Sequence, residues 1–398
     1  MGDRSNPNQN LSTECAHAGG ENVPSENNPA VQPIYQTSVY DFADLTQVDE
    51  IWEGRMPGFI YGRYGSPNHT ALENIVAKLE GGESALASAS GMASIALSLL
   101  SFLEAGDEVI VANDSYGGSV SLAARDFPRF GITTRFVSTV KLGGIEAAFT
   151  TKTKAMLVET LSNPRWNVID VGEISDLCHR RGAKLIVDNT VATPYLIRPL
   201  SLGADAVVHS ATKFLAGHDD VVAGILVGNS DLIARARETA IRMGPSLGPF
   251  DAWLTVRGIK TFALRIERVC SNALAVAKYL KEHAAVPNVY YPGLETHPQH
   301  EIVRKTMRGI GGGMVSFELK GGRDKVETFL KNLSLIRFAP TLGGVTTTIS
   351  HPATTSHRAL TAAQRAEAGV SDSLLRLSIG IEDSEDLMAE MQRALQTI

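Results

Sequence analysis

The segment His209-Ser-Ala-Thr-Lys-Phe-Leu-Ala-Gly-His218 sets a lysine, Lys213, just beyond a short apolar run, with Ser210 and Thr212 beside it. In open parallel sheets, ligands bind outside the carboxyl ends of the strands. A lysine held there is partly desolvated, which lowers its pKa and leaves a neutral amine able to form an imine with an aldehyde. The segment by itself fits a surface lysine in a Ser/Thr-rich loop equally well. Upstream, Asp188 closes another apolar run, Leu185-Ile-Val-Asp188, with Thr190 two residues on. A buried aspartate needs a cationic partner to offset its lost hydration. A protonated pyridine nitrogen is such a partner, and the pair keeps a pyridine ring electron-poor. A helix cap or turn is the plainer role for the same acid.

Two further segments add to this. In Ser88-Ala-Ser-Gly91-Met92-Ala-Ser, small residues join a strand pattern to a helix pattern, so that helix-start N–H groups can receive a phosphate. The spacing matches neither a Walker A loop nor a dinucleotide fingerprint. Tyr116, in Ser115-Tyr-Gly-Gly118, follows a strand pattern ending at Ala112, where a phenol can stack on an aromatic cofactor and exchange protons. Together an imine-forming lysine, an acid for a pyridine nitrogen, a phosphate cradle and a stacking ring point to pyridoxal 5'-phosphate. His297 and His300 stand three apart, but no Cys or carboxylate cluster supports a metal site. The glycines of Gly309-Ile-Gly-Gly-Gly313 run into a strand pattern and read as a loop.

These residues need a scaffold, and the chain supplies the pattern of one. Apolar runs at 83–88, 108–112, 134–137, 155–159, 184–187, 206–209 and 222–227 alternate with helical periodicity at 92–103 and 174–181. Runs such as LIVD and AVVHS suit parallel strands covered on both faces. The expectation is an α/β fold: a doubly wound, mostly parallel seven-stranded sheet. Asn68 is the expected cap of a preceding helix that the Gly81-Gly82 pair stops. A long helical pattern from 250 to 283, interrupted at Gly258, leads to strands at 314–319 and 374–378 and helices at 323–330 and 384–395. That mixture implies a smaller α+β C-terminal domain. The expected organisation is an arm over 1–60, a large domain over 61–256 and the C-terminal domain over 257–398.

Composition suits a soluble protein with a small-molecule partner. The 398 residues carry 37 Lys and Arg against 43 Asp and Glu, a net charge of −6, so no basic footprint for nucleic acid or anionic membrane is present. Three widely spaced cysteines form no disulfide framework. The N-terminal segment lacks a leader's apolar run. A cytoplasmic protein is expected.

The ordered segments resemble the pyridoxal-phosphate enzymes of cysteine and methionine metabolism, a family of fold type I. It includes cystathionine γ-synthase, cystathionine γ- and β-lyases, methionine γ-lyase and O-acylhomoserine sulfhydrylases. The resemblance covers nearly the whole chain. It runs through Pro33-Ile-Tyr-Gln-Thr-Ser38, Tyr61-Gly-Arg63-Tyr-Gly-Ser-Pro67, Ser90-Gly-Met92, Asn163-Pro164, Asp188-Asn-Thr190 and Ser210-Ala-Thr-Lys213. Gly217-His218, Phe250-Asp251, Tyr291-Pro-Gly-Leu294, His351-Pro-Ala353 and Leu375-Arg376-Leu-Ser-Ile-Gly-Ile-Glu382 continue it.

The resemblance implies that Lys213 holds the cofactor as an imine and moves protons, while Asp188 pairs the ring nitrogen and Tyr116 stacks on the ring. Gly91, Met92, Ser210 and Thr212 would bind the phosphate, with Thr190 also in the cofactor site. Arg376 would grip the substrate carboxylate, joined by Asn163 and Thr341. Tyr61 and Arg63 would reach the site of a neighbouring subunit, which implies a dimer at least, and usually a homotetramer built of two dimers. The implied activity is a lyase that eliminates a heteroatom group from Cγ of an L-amino acid: methionine-, homoserine-ester- or canavanine-like. The alternative is a γ-replacement synthase acting on O-acylhomoserine.

Three positions depart from the family pattern. Pro340-Thr341 stands where cystathionine-handling members often have Glu-Ser, and Gly118 where methionine γ-lyases commonly have cysteine. Asp219 stands where Ser or Gly is usual. A solvated loop acid is its plain reading, and selection of a substrate with a cationic tail is the sharper one.

Overall fold

The computed structural model describes residues 10–19, 29–139, 142–358, 361, 365 and 369–398. The segment that bears on a leader peptide, residues 1–9, lies outside them.

Seven strands form the main sheet: β1 (Ser84–Ser88), β2 (Glu108–Ala112), β3 (Thr133–Val137), β4 (Thr153–Glu159), β5 (Lys184–Asp188), β6 (Ala206–Ser210) and β7 (Gly224–Gly228). Their order across the sheet is β1-β7-β6-β5-β4-β2-β3. From β6 to β3 every pairing is parallel; β7 runs antiparallel to both β6 and β1. The sheet is therefore mostly parallel, as the near-continuous apolar runs imply.

The sheet is covered on both sides. Helices Pro67–Glu80 and Val171–Arg180 pack one face through Leu72, Val76, Leu79, Ile174 and Leu177. Helices Gly91–Leu100 and Ser230–Met243 cover the other through Ile95, Leu99, Leu232 and Ile233. Strand residues alternate between the two layers: Val187 and Val207 belong to the first, Ile186 and Val208 to the second.

A second sheet follows, in the order β10-β11-β12-β9-β8, from β8 (Asn288–Tyr290), β9 (Met314–Glu318), β10 (Arg337–Phe338), β11 (Thr348–Ser350) and β12 (Leu374–Ser378). Helix Phe262–Glu282 links the two cores, its first half packing into the large one and Ala273 to Leu280 into the smaller.

Two local expectations are corrected. The cap position of helix Pro67–Glu80 is Ser66, with Pro67 at its first turn. Asn68 instead ties the arm down: its Oδ1 accepts from the Tyr35 N–H and its Nδ2 donates to Pro33 O, each at 2.8 Å. Proline at the first position leaves no N–H to waste, so the start two residues earlier costs nothing. The long helical pattern also breaks at Lys260–Thr261 and not at Gly258, which lies inside helix Pro249–Ile259. Gly258 is there because a Cβ would stand 2.2 Å from Ala216 O. Close packing, not helix breaking, selects it. The arm also carries helices Leu11–Ala16 and Leu45–Trp52, which its Asn, Pro and Gly content conceals.

Beneath the carboxyl edge of the sheet lies a buried polar cluster. Glu80 and His209 are fully buried and bonded at 2.6 Å. Asn189 Nδ2 donates to the same Glu80 oxygen at 2.8 Å, and Thr160 Oγ1 donates to Asn189 Oδ1 at 3.1 Å. Replacing Glu80 by alanine removes one partner from a buried pair, a loss of about 3 kcal/mol or more. The urea midpoint of the variant should fall accordingly, while Glu80→Gln, which keeps an acceptor for His209, should recover part of it.

Candidate active site

All the parallel strands end on the same edge, and the residues beyond their carboxyl ends meet there around a cavity of about 720 Å³. Lys213, Tyr116, Asp188, Thr190, Gly91, Met92, Ser210, Thr212, Asn163, Arg376 and Thr341 all line it. Residues far apart in sequence are brought together because β2, β4, β5 and β6 are neighbours and β12 of the second sheet faces them.

The strand alternation decides which side chains arrive. Glu159 pairs in register with Asp188, and both lie in the cavity wall. Thr190 donates twice to Asp188 Oδ1, from its N–H at 3.0 Å and its hydroxyl at 2.5 Å, and that hydroxyl accepts from the Ser210 N–H at 2.8 Å. Burial pushes the Asp188 carboxyl up, while the Thr190 bonds and the charge of His209 pull it back down. Glu159 is held well above the usual carboxylate range, first by burial and then by the charges of Asp188 and Asp114. Asp188 receives two donors from Thr190, whereas among the described residues Glu159 accepts from the Tyr116 N–H, so burial raises Glu159 further than Asp188. Glu159 is a site residue that sequence reasoning missed. Its signal, an acid ending an apolar run like that of Asp188, was present.

Lys213 is partly buried. Burial lowers its ammonium's pKa, the nearby charge of Arg376 lowers it further, and Asp219 opposes both. Arg376 is only 5% exposed on β12. Its Nη1 donates to Asn163 Oδ1 and its Nη2 to Thr341 O, both at 3.2 Å. Its Nε finds no partner among the described residues, and none of their carboxylates forms an ion pair with it. Burial lowers its pKa to about 10. A buried guanidinium with an unused N–H beside the cavity is ready to take an anion.

The residues present fit pyridoxal phosphate. Ser90 caps helix Gly91–Leu100, its Oγ accepting from the Ala93 N–H at 3.2 Å, so the helix start opens into the cavity as an anion site. A Cβ on Gly91 would stand 2.7 Å from Ser210 Cβ, so glycine is what lets these two walls meet. The Thr212 hydroxyl already exchanges bonds with Ala223, donating to its O at 3.2 Å and accepting from its N–H at 3.0 Å. A phosphate would draw that proton away from Ala223. Tyr116 is 52% exposed, with its ring on the cavity. A Cβ at position 118 would come within 2.5 Å of the Tyr116 ring, so Gly118 leaves the ring its place.

Tyr61 and Arg63 do not line the cavity; Arg63 donates to Ile241 O and lies 5.5 Å from the Tyr61 ring centroid. Asp219 stands just outside the wall, bonded to Thr341. Among the described residues no group of three or more His, Cys, Asp or Glu can hold a metal, and no helix is long and apolar enough to cross a membrane.

Comparison with known proteins agrees with this geometry. An L-methionine gamma-lyase of Fusobacterium nucleatum subsp. polymorphum is 42% identical over 391 residues, 98% of each chain. A cystathionine beta-lyase of Lactococcus lactis subsp. cremoris is 43% identical over 387 residues, 97% of this chain and 99% of its own. The crystal structure of the metY protein of Campylobacter jejuni subsp. jejuni, which carries N'-pyridoxyl-lysine-5'-monophosphate, superposes with a TM-score of 0.93 at 31% identity, covering 98% of this chain and 100% of that one. The profile of the Cys/Met metabolism PLP-dependent enzymes matches residues 12–396, and the chain belongs to that family of pyridoxal-phosphate enzymes.

Proposed function

We propose that the protein eliminates a heteroatom-linked group from Cγ of an L-amino acid, releasing that group and leaving a 2-oxo acid and ammonia. The observation that carries this reading is the meeting on one cavity of Lys213, Asp188 and the guanidinium of Arg376, which has no carboxylate partner among the described residues. The similarity to an L-methionine gamma-lyase supports the γ position.

Bound in this cavity, the cofactor supplies an electron sink for the charge left on the substrate's Cα. Arg376 holds the α-carboxylate, with Asn163 fixing the guanidinium from the other side. Lys213, its basicity tuned by burial, would anchor the cofactor, take the Cα proton, pass it on to the cofactor and, neutral again, take a Cβ proton. Tyr116, half exposed beside it, returns a proton to the leaving group. Asp188 would pair with the ring nitrogen and favour its protonated form, while Glu159 accepts from the Tyr116 backbone N–H. Gly91, Met92, Ser210 and Thr212 would hold the phosphate, with Thr190 holding Asp188 in place.

The assembly we propose is a homotetramer, a dimer of dimers. Tyr61 and Arg63 would complete the neighbouring subunit's site, and the exposure of Val39 (60%), Leu45 (82%) and Trp52 (62%) on the same arm supports a partner there. The boundaries 61–256 and 257–398 are proposed for the two domains, and the cytoplasm for the location, in keeping with three buried free thiols.

The test is O-acetyl-L-homoserine given to the holoenzyme with and without a thiol. Elimination yields 2-oxo acid and ammonia without the thiol. A product formed only with the thiol, and no 2-oxo acid, would make the enzyme a γ-replacement synthase.

A further inference from the structure

Asp219 takes no part in the chemistry above, yet its placement is constrained. Its backbone is left-handed, with φ at 57°, a region that Asp and Asn tolerate and most side chains avoid. The loop 340–344 lies against its carboxylate. Oδ1 accepts from Thr341 Oγ1 at 3.4 Å, and a Cβ at Gly344 would stand 2.0 Å from Oδ2. Glycine at 344 leaves the carboxylate room. Thr341 lines the cavity and its carbonyl holds Arg376 at 3.2 Å. A single residue thus joins the cation that receives a substrate's α-carboxylate to an acid on the rim. Asp219 is exposed, and among the described residues it has no ion-pair partner. Lys213 senses its charge, so the acid bears on the reacting end of the cavity. The rim's other charged group, Arg358, lies on the segment that passes Gly117.

We propose that Asp219 selects substrates whose Cγ substituent ends in a cation, a guanidinium or an ammonium, receiving that charge while Arg376 holds the α-carboxylate. The proposal rests on the γ-elimination reading for the fate of the substrate, but selection itself is a binding property. A charge-assisted hydrogen bond at a partly solvated rim discriminates by about tenfold.

The test reads binding without turnover. The holoenzyme is titrated with L-arginine, L-norleucine and L-2-aminoadipate, none of which has a heteroatom on Cγ, by the change in the cofactor's visible band. The expected result is an arginine Kd about tenfold below that of norleucine. In Asp219→Asn and Asp219→Gly, both compatible with a left-handed backbone, the ratio should fall to within about twofold of unity. An unchanged ratio in both variants overturns the proposal. So does a wild-type enzyme that prefers norleucine or aminoadipate to arginine, the latter giving the rim to Arg358. Failure of the γ-elimination reading shows separately, as no 2-oxo acid from O-acetylhomoserine.

Discussion

Lys213→Ala should lower kcat by at least about 10⁴-fold, because one substitution removes both the covalent anchor and the base that takes the Cα proton. Nothing else on the cavity can stand in. The Glu159 carboxyl is pushed well above the usual carboxylate range, first by burial and then by the charges of Asp188 and Asp114. Asp188 would be committed to the ring nitrogen of the bound cofactor. The phosphate cradle and Asp188 survive the substitution, so the cofactor should still bind, but without a covalent link. The absorption band of the lysine-linked cofactor should disappear, and dialysis should strip the cofactor from the variant and not from the parent. A Lys213→Ala protein that kept both the band and 2-oxo acid formation would refute the assignment.

Arg376→Met should separate function from stability. The guanidinium is buried, its Nε bonds to nothing described, and no described carboxylate offsets its charge. Removing such a cation in favour of an apolar side chain of similar volume is neutral or stabilising in buried sites. Binding moves the other way. Two charge-assisted bonds to a carboxylate are worth roughly 2–4 kcal/mol, so kcat/KM should fall about 30- to 1000-fold, mainly through KM. Thermal melting of the variant at or above the parent, together with that loss, is the expected pair of results. Arg376→Lys should not recover the activity, since a single ammonium cannot present the planar fork of a guanidinium. A variant that loses stability but keeps its KM would give Arg376 a structural role only.

Much of this architecture was legible before any coordinates. All seven main strands overlap the apolar runs, with ends shifted by two residues at most, because strands buried on both faces have no polar face to blur the signal. The seventh, β7, begins at Gly224 and not at 222, and its antiparallel direction is invisible in a run that reads the same either way. Lys213, Asp188, Gly91 and Tyr116 could be nominated because each follows a strand that ends on the same edge. What sequence hid was of two kinds. Glu159 ends an apolar run just as Asp188 does, but its weight comes from lying in register beside Asp188, a fact of sheet order. The pairing of Glu80 with His209 joins a helix end to a strand across 129 positions, and local pattern carries no trace of such a contact.

The alternation along β4, β5 and β6 also bears on how this enzyme can change. At the ends of these strands, Glu159, Asp188 and Ser210 face the cavity, while Thr160, Asn189 and His209 turn to the Glu80 cluster on the other side. Gain or loss of one residue within any of these strands would exchange the two sets, sending a cofactor ligand into the structural cluster and a structural group into the cavity. Evolution and engineering alike are thus barred from tuning the chemistry by length changes in the strands. The loops at 219 and 340–344 carry no such parity, and new specificities can be grafted there while the catalytic register stays untouched.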